Sequence, residues 1–251
     1  MAIQHFPLKL VSRRMLAPSV GHYTFVRDDG EPLDFVPGQF IQVHFRYADG
    51  TPTKRSYSLA TVHDHALGPG EAVEIAVSYV PGGAATALFE GLEPGDRVDA
   101  SGPFGRFCLM PNDRNPRYLL IATGTGVTPY RSMLPQLEAL IRERDLRVVL
   151  LFGARTPAEL LYGEEFYAFA ARHPRNFRFV PCFSRELPAE PHPDVRHGYV
   201  QQFLDEFAPN PQEDVAYLCG NPNMVDACFE ALKGHGLPVA QIRREKYVSS
   251  K

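Results

Sequence analysis

An apolar strand that runs directly into a glycine-rich turn constrains the fold of this chain most. Residues 118–129 read Tyr-Leu-Leu-Ile-Ala-Thr-Gly-Thr-Gly-Val-Thr-Pro. Backbone N–H groups in such a turn approach a pyrophosphate closely, and the N-terminus of the following helix adds partial positive charge. Pro129 replaces the usual third glycine and suits a first helical turn. Taken alone, a glycine pair also fits an ordinary strand-to-helix turn.

The sequence pattern changes near residue 111. Before it, about six short runs with apolar alternation, such as 40–45 and 72–79, are separated by turn sequences and predict an antiparallel β-barrel with one helix at about 83–90. After it, strands alternate with helices, which predicts a doubly wound, parallel, five-stranded α/β domain. We therefore expect two domains, 1–111 and 112–251. The predicted parallel strands are 118–122, 147–152, 177–183, 215–219 and 241–247.

Composition excludes several classes of protein. A net charge of -3 over 251 residues argues against nucleic-acid binding. There is no apolar run long enough for a membrane span and no pattern of a signal peptide, so a cytoplasmic protein is expected. The four cysteines form no C-x2-C pair or iron–sulfur spacing, and the nine histidines form no obvious ligand set. No bound metal is expected.

Two arginines follow successive predicted strands of the α/β half. Arg155 comes after 147–152, and Ser184-Arg185 comes after 177–183. Folds that select NAD often place an acidic residue here for the ribose hydroxyls, whereas two guanidinium groups and a hydroxyl suit a 2′-phosphate. A pair of solvated surface arginines is the alternative. The nearby residues 156–159, Thr-Pro-Ala-Glu, have the spacing of a capping box.

In the barrel half, the run Arg55-Ser56-Tyr57-Ser58 combines a bidentate phosphate donor, a flat ring and two hydroxyls. In an extended strand, Arg55 and Tyr57 point to one side and the serines to the other. The strand must end or bulge here if Tyr57 and Ser58 are to serve one ring. An ordinary edge strand is the alternative.

The predicted helix of the barrel half opens with a second glycine pair. Gly82, Gly83 and Thr86 lie at its start. Backbone amides at a helix N-terminus, together with a threonine hydroxyl, predict a second anion site.

These pieces, in this order, resemble the ferredoxin–NADP reductase family, of the short bacterial type. The resemblance extends from Pro37 to Tyr247. The matching segments are 37–40, 55–58, 82–86, 102–105, 124–129, 184–186, 219–224 and 245–247.

The resemblance implies an FAD-binding barrel and an NADP-binding α/β domain. In the barrel, Arg55 would hold flavin phosphate, Tyr57 would stack on the isoalloxazine, and Ser58 would lie near its N5. The remaining FAD-binding residues implied by the resemblance are Ser56, Gly82, Gly83 and Thr86.

In the α/β domain, the resemblance places Cys219 beside the nicotinamide, with Tyr247 near the flavin ring and Glu245 in the path of protons. A buried thiol and a simple strand ending are the alternatives for these positions. The remaining residues implied to bind the dinucleotide are Thr125, Gly126 and Arg155, with Ser184 and Arg185 on its 2′-phosphate.

The expected function is electron transfer from NADPH through FAD to a one-electron carrier, ferredoxin or flavodoxin, by a monomer. The alternatives are an NADH-dependent reductase component of an oxygenase system without its own iron–sulfur domain, and a flavin-binding regulator without turnover. A basic patch of Arg243, Arg244, Lys246 and Lys251 is the candidate docking surface for the carrier, and a solvated tail is the simpler alternative.

Overall fold

Six strands pair into one antiparallel sheet in the N-terminal part of the chain. They are β1 (Gln4–Ala17), β2 (Val20–Arg27), β3 (Phe40–Arg46), β4 (Pro52–Ser58), β5 (Val73–Ser78) and β6 (Arg97–Phe104). Their order is β4-β3-β6-β1-β2-β5, and each neighbouring pair is antiparallel. A bridge between Leu59 and Ile75 joins the chain after β4 to β5, so the two edges meet. The predicted barrel is confirmed.

The structure is a computed structural model that describes residues 4–65 and 67–248. Its contacts divide the chain into two units. Among the described residues, the first unit contains 4–65, 67–109 and 128–135, and the second contains 110–127 and 136–248. The short segment 128–135 therefore belongs to the barrel unit, although it follows the glycine-rich turn directly.

One helix packs on the barrel. Helix α1 (Ala84–Gly91) buries Phe89 completely. The Phe89 ring meets Tyr23 edge-on at 4.9 Å between centroids, and the Tyr23 hydroxyl donates to the Phe89 carbonyl at 2.8 Å. These contacts fix α1 on the barrel core.

Six parallel strands form the second sheet. They are β7 (Arg117–Thr123), β8 (Arg147–Ala154), β9 (Phe177–Phe183), β10 (Arg196–His197), β11 (Asp214–Gly220) and β12 (Ile242–Lys246). The order is β10-β9-β8-β7-β11-β12, with every pair parallel. The predicted doubly wound fold is confirmed, and the two-residue β10 extends the five predicted strands.

The strand order reverses at β7. The chain moves from β7 through β8 and β9 to β10 on one side, and then places β11 and β12 on the other. Ligands of such sheets bind at the carboxyl ends of the strands beside this reversal. The expected position of a ligand is therefore the carboxyl ends of β7 and β11.

Helices and 3-10 turns complete the chain. The helices are α2 (Thr128–Ser132), α3 (Leu134–Arg144), α4 (Gly163–Arg172) and α5 (Pro222–Gly234). The 3-10 segments are Gly124–Val127, Pro157–Glu159, Val200–Phe207 and Val239–Gln241. Within residues 4–65 and 67–248, no helix combines the length and apolar character that a membrane crossing requires.

The predicted capping box at residues 156–159 is wrong. Thr156 makes no side-chain cap hydrogen bond, and the segment Pro157–Glu159 is a single 3-10 turn. The Glu159 carboxylate turns back to Arg155 instead, with an N–O distance of 2.6 Å. A charge-assisted bidentate pair is stronger than a cap to one backbone N–H, which accounts for the difference.

Candidate functional site

Strand β4 ends at Ser58. An end of the strand at this point is the condition for Tyr57 and Ser58 to contact the same ligand ring. Ser58 is paired with Phe40, and the next residue, Leu59, has already changed partner to Ile75 of β5. Tyr57 packs against the barrel core, with its ring edge-on to Phe89 at 5.2 Å. Burial raises the pKa of Tyr57, so its phenol stays uncharged and offers an apolar, polarisable face.

The Arg55 guanidinium lies on the same side of β4 as Tyr57. It donates to the Thr53 hydroxyl and the Tyr47 hydroxyl, each at 3.0 Å. Its carbon sits 5.8 Å from the centre of the Phe45 ring. These neighbours hold the guanidinium near the barrel surface, where a fork of N–H donors suits a phosphate.

The N-terminus of α1 is organised by Thr86. Its hydroxyl oxygen accepts the N–H of Val80 at 2.7 Å, which folds residues 80–83 over the first helical turn. Gly83 is the N-cap residue, and as a glycine it has no side chain that could cap the helix. Beside it, a Cβ at Gly82 would meet no atom within 4 Å. Open space at a helix N-terminus is what an anionic ligand requires.

A buried hydroxyl in the first unit bears on whether the residues present suit a flavin nucleotide. Thr128 is only 2% exposed, and its hydroxyl has no hydrogen-bond partner among the described residues. A buried polar group without a partner is costly unless a ligand or water satisfies it. The Arg55 guanidinium, the open N-terminus of α1 and this hydroxyl are each groups of the kind that a polar, phosphate-bearing ligand such as FAD binds.

In the second unit, the turns after β7 and β11 touch backbone to backbone. A Cβ on Gly126 would lie 2.3 Å from the Cys219 carbonyl oxygen and 2.6 Å from the Gly220 Cα. Conversely, a Cβ on Gly220 would lie 2.5 Å from the Thr123 carbonyl oxygen. Only glycine permits this approach, which brings the turns after β7 and β11 together at the reversal of the sheet, where ligands of such sheets bind.

The structure brings Cys219, Glu245 and Tyr247 together. Cys219 pairs with Glu245 across β11 and β12, and the Tyr247 N–H donates to the Gly220 carbonyl at 2.8 Å. Burial, followed by the charge of Glu245, raises the pKa of Cys219 well above its usual value. The thiol is therefore protonated at neutral pH, which fits a neutral packing group and excludes a thiolate nucleophile.

Glu245 has an unusual acidity. Burial raises the pKa of Glu245 from 4.5 to about 7. The carboxyl forms no hydrogen bond or ion pair within residues 4–65 and 67–248 that would hold its charge. A carboxyl that titrates near neutrality is suited to donating or accepting a proton.

The raised pKa of Glu245 predicts a pH-dependent stability. The folded protein holds this proton more tightly than the unfolded chain, so the contribution is complete below pH 4.5 and is lost as pH rises through about 7. In the flavin-free protein, Glu245→Gln should gain up to about 3 kcal/mol of unfolding free energy over the wild type by pH 8. Urea denaturation of both proteins between pH 4 and pH 8 measures the difference in their free energies of unfolding. A pH-independent difference would contradict it.

Arg155 and Arg185 meet at the ends of β8 and β9. The Arg185 N–H donates to the Arg155 carbonyl at 3.0 Å, and the Ser184 N–H donates to the Ala154 carbonyl at 3.0 Å. The structure thus brings the backbones of Arg155, Ser184 and Arg185 to adjacent strand ends. Arg196, on β10, is instead held by Glu206 through hydrogen bonds of 2.9–3.1 Å and has a structural role.

Two further residues near these strand ends were not singled out from the sequence. Tyr199 follows β10 and is 61% exposed, beside a backbone bond from Gly198 to Phe183. Asn221 caps α5, because its side chain accepts the N–H of Asn223 at 2.9 Å. The sequence signals at these two positions are an aromatic residue after Gly198 and an Asn-Pro pair, which is typical of a helix start.

Two members of the predicted basic patch are paired with carboxylates. Arg243 binds the Asp113 carboxylate at 2.7 Å and lies over the Tyr217 ring, so its charge is already paired. Lys246 pairs with Asp226 at 2.7 Å, and the guanidinium of Arg244 lies over Phe229. Lys251 is outside the described residues.

Comparison with protein families gives two matches that cover most of the chain. Residues 7–108 match the oxidoreductase FAD-binding domain. Residues 120–230 match the oxidoreductase NAD-binding domain. The first match lies within the first unit, and the second covers much of the second unit together with segment 128–135 of the first.

Curated relatives include two kinds of reductase. The chain is 33% identical over 249 residues to ferredoxin–NADP reductase B of Sorangium cellulosum, covering 96% of this chain and 97% of the relative. It is 37% identical over 221 residues to the reductase subunit of an aromatic O-demethylase from Amycolatopsis, covering 86% of this chain and 62% of the relative. It thus spans less than two thirds of that second relative.

Solved structures show the same fold. The cytochrome P450 reductase GcoB of Amycolatopsis aligns with a TM-score of 0.82 at 33% identity, over 97% of this chain and 70% of that one. A ferredoxin NADP+ reductase from Neisseria gonorrhoeae with bound FAD and NADP aligns with a TM-score of 0.80 at 23% identity, over 96% and 98%. With its FAD-binding and NAD-binding domains, the chain belongs to the ferredoxin–NADP reductase family.

Proposed function

We propose that this chain is a flavoprotein reductase that uses FAD to move electrons between NADPH and a one-electron protein carrier, ferredoxin or flavodoxin. In this proposal, residues 1–111 bind FAD and residues 112–251 bind the nicotinamide nucleotide, in a monomer. The observation that carries it is the backbone contact of Gly126 with Cys219 and Gly220, which opens a pyrophosphate site next to Cys219 and Glu245.

FAD, when bound, supplies the chemistry that links hydride transfer to single-electron transfer. The barrel residues bind and orient it. Arg55 contributes N–H donors to phosphate, and Thr86 and the N-terminus of α1 form the pyrophosphate site. The Tyr57 ring would cover one face of the isoalloxazine, and Ser56 and Ser58, on the same strand, would supply hydroxyls to the flavin.

Three residues of the second unit prepare the reacting region. Cys219 would present an uncharged thiol to the nicotinamide, because its raised pKa keeps it protonated. Glu245 holds or releases a proton on its carboxylate oxygen near neutral pH. Tyr247 shields the reacting region from water, as an aromatic side chain with an apolar body does. Positioning and exclusion of water account for most of the catalysis in such a site.

Preference for NADPH rests on Arg155, Ser184 and Arg185. Their backbone contacts bring two guanidinium-bearing residues and a hydroxyl to adjacent strand ends. The exposed Tyr199 ring, which follows the neighbouring β10, offers a stacking surface for adenine.

Arg185→Ala should lower kcat/KM for NADPH by about 10- to 100-fold, because a charged hydrogen bond to phosphate contributes about 1.5–3 kcal/mol. The kcat/KM for NADH should stay within about twofold of the wild type. Steady-state reduction of ferricyanide by each nucleotide measures both values. Arg175→Ala, which removes another exposed arginine from the same unit, is the matched control. Equal losses for NADPH and NADH would refute the phosphate role.

Two of the relatives favour a second candidate. The reductase subunit of an aromatic O-demethylase and the reductase component of a propane 2-monooxygenase from Rhodococcus jostii are both over 30% identical to this chain. By analogy, the chain would be an NADH-dependent reductase that delivers electrons to an oxygenase. Its preference for NADH over NADPH and for an oxygenase over ferredoxin distinguishes this candidate.

A stopped-flow experiment tests the proposed function. The purified protein, loaded with FAD, is mixed anaerobically with NADPH or NADH, and the visible flavin absorbance is followed. Faster bleaching with NADPH, followed by reoxidation when ferredoxin or flavodoxin is added, supports the proposal. Faster bleaching with NADH favours the oxygenase reductase. A protein that binds FAD but bleaches with neither nucleotide is a binder without turnover.

A further inference from the structure

Arg155 already has a carboxylate partner. The Glu159 carboxylate lies 2.6 Å from one guanidinium nitrogen and 2.8 Å from Nε of Arg155. It also accepts the Arg155 backbone N–H at 3.3 Å. These three contacts close the turn from the end of β8 to the 3-10 segment Pro157–Glu159.

The pair sits where the proposed 2′-phosphate would bind. The carbonyl of Arg155 accepts the N–H groups of Arg185 and Glu186 at 3.0 and 3.2 Å. The Arg185 side chain is exposed and forms no ion pair or hydrogen bond with any residue that the structure describes. Arg155 and Arg185 therefore both lie at these strand ends, and Glu159 offsets the charge of Arg155.

We propose that Glu159 sets the nucleotide selectivity of this chain by competing with the 2′-phosphate for the Arg155 guanidinium. This inference rests on the proposed function. In it, Arg185 alone is available to the phosphate, and Arg155 becomes available when the Glu159 carboxylate is displaced. The chain then uses NADH as well as NADPH, with a selectivity ratio below that of a site with two unpaired arginines.

The physical basis is competition between two anions for one cation. A 2′-phosphate carries between one and two negative charges and would repel a carboxylate a few ångströms away. The Arg155 side chain is 53% exposed and Glu159 is 23% exposed, so the pair is weak enough to exchange partners. Removing the carboxylate charge should therefore strengthen phosphate binding by roughly 3- to 10-fold.

The test uses two nucleotides that differ only by the 2′-phosphate. Calorimetry at fixed low salt measures the Kd of adenosine 2′,5′-bisphosphate and of 5′-AMP for the full chain, wild type and Glu159→Gln. The expected result is a Kd for the bisphosphate that is 3- to 10-fold lower in the variant, with the Kd for 5′-AMP unchanged. A gain confined to one ligand cannot arise from general damage to the turn.

A second set of variants shows whether Glu159 acts through Arg155. Arg155→Gln should weaken bisphosphate binding, and the double variant Arg155→Gln/Glu159→Gln should lose most of the gain seen in Glu159→Gln. Glu230→Gln removes a carboxylate that pairs with Lys233 on α5 and should leave both Kd values unchanged.

Two outcomes overturn the proposal in distinguishable ways. If Glu159→Gln weakens bisphosphate binding or leaves it unchanged, Glu159 holds Arg155 in place for the phosphate or has no effect, and the competition is refuted. If the wild-type protein binds neither nucleotide, the proposed nucleotide-binding function fails, and the role of Glu159 fails with it.

Discussion

Replacing Gly126 with alanine is expected to lower kcat/KM for NADPH and NADH by on the order of 100-fold, since a displacement of about 1 Å has effects of that size. The new Cβ would stand 2.3 Å from the Cys219 carbonyl oxygen and 2.5 Å from its carbon. Both are backbone atoms, so the turn after β7 must move away from β11. In the proposed site, that movement would separate the backbone N–H groups of the turn from the pyrophosphate of the nucleotide.

Steady-state kinetics and flavin content together check the Gly126 prediction. The FAD content should remain near that of the wild type, because the barrel residues proposed to bind flavin are in the other unit. Gly234→Ala is the control, because a Cβ at this position in α5 meets no atom within 4 Å. A Gly126→Ala protein with unchanged kcat/KM for either nucleotide would contradict the proposed pyrophosphate site.

Glu74→Gln is expected to destabilise the protein by about 3–5 kcal/mol, the usual loss when one partner of a buried ion pair is removed. Glu74 lies 2.7 Å from Arg131 and 3.3 Å from His22. Arg131 also donates to the Ala60 carbonyl at 2.6 Å. The Arg131 side chain is only 11% exposed, so the change removes a charged partner from a largely desolvated guanidinium.

The pH dependence of the free energy of unfolding gives a second measurement of the stabilisation by Glu74. Burial alone would raise the pKa of Glu74, but hydrogen bonds and charge from His22 and Arg131 outweigh it and lower the pKa to about 2. The stabilisation is therefore present above about pH 4.5 and is lost as pH falls toward 2. Urea denaturation as a function of pH should show this loss in the wild type and not in Glu74→Gln.

A surface pair in the same unit provides the control for Glu74. Glu93 pairs with Arg13 but is 68% exposed, so Glu93→Gln should cost at most about 1 kcal/mol. The double variant Glu74→Gln/Arg131→Gln should be less destabilised than the sum of its two single variants, because both single variants remove the same ion pair. Equal losses in Glu74→Gln and Glu93→Gln would show that burial does not strengthen the pair.

Local patterns predicted the barrel and the parallel sheet because both depend on residue periodicity. Alternating apolar residues gave the strands at 40–45 and 72–79, and the helix at 83–90 was confirmed within one residue. The capping box at Thr156 was wrong because its spacing omits Arg155, whose bidentate attraction for Glu159 is stronger than a bond to one N–H. Short-range patterns do not include such competition.

The sequence alone did not predict the buried position of Thr128 or the largely buried position of Arg131. Nothing near Thr128 in sequence indicates that its hydroxyl would be buried without a partner, or that Arg131, three residues later, would bind Glu74 on β5. These contacts join positions more than 50 residues apart in the chain, and their burial depends on the complete barrel. Likewise, Arg243 could be read from sequence only as a surface cation, whereas Asp113 pairs with it.

The sequence by itself determined the two architectures, the order of the glycine turns and the residue types available for phosphate, because strand periodicity and glycine content are local properties. The tertiary structure alone decided that Gly126 touches Cys219 and that Glu245 lies beside Cys219 with its pKa near 7. The reason is physical: burial, close backbone approach and charge pairing depend on distances between residues that only the folded chain brings together.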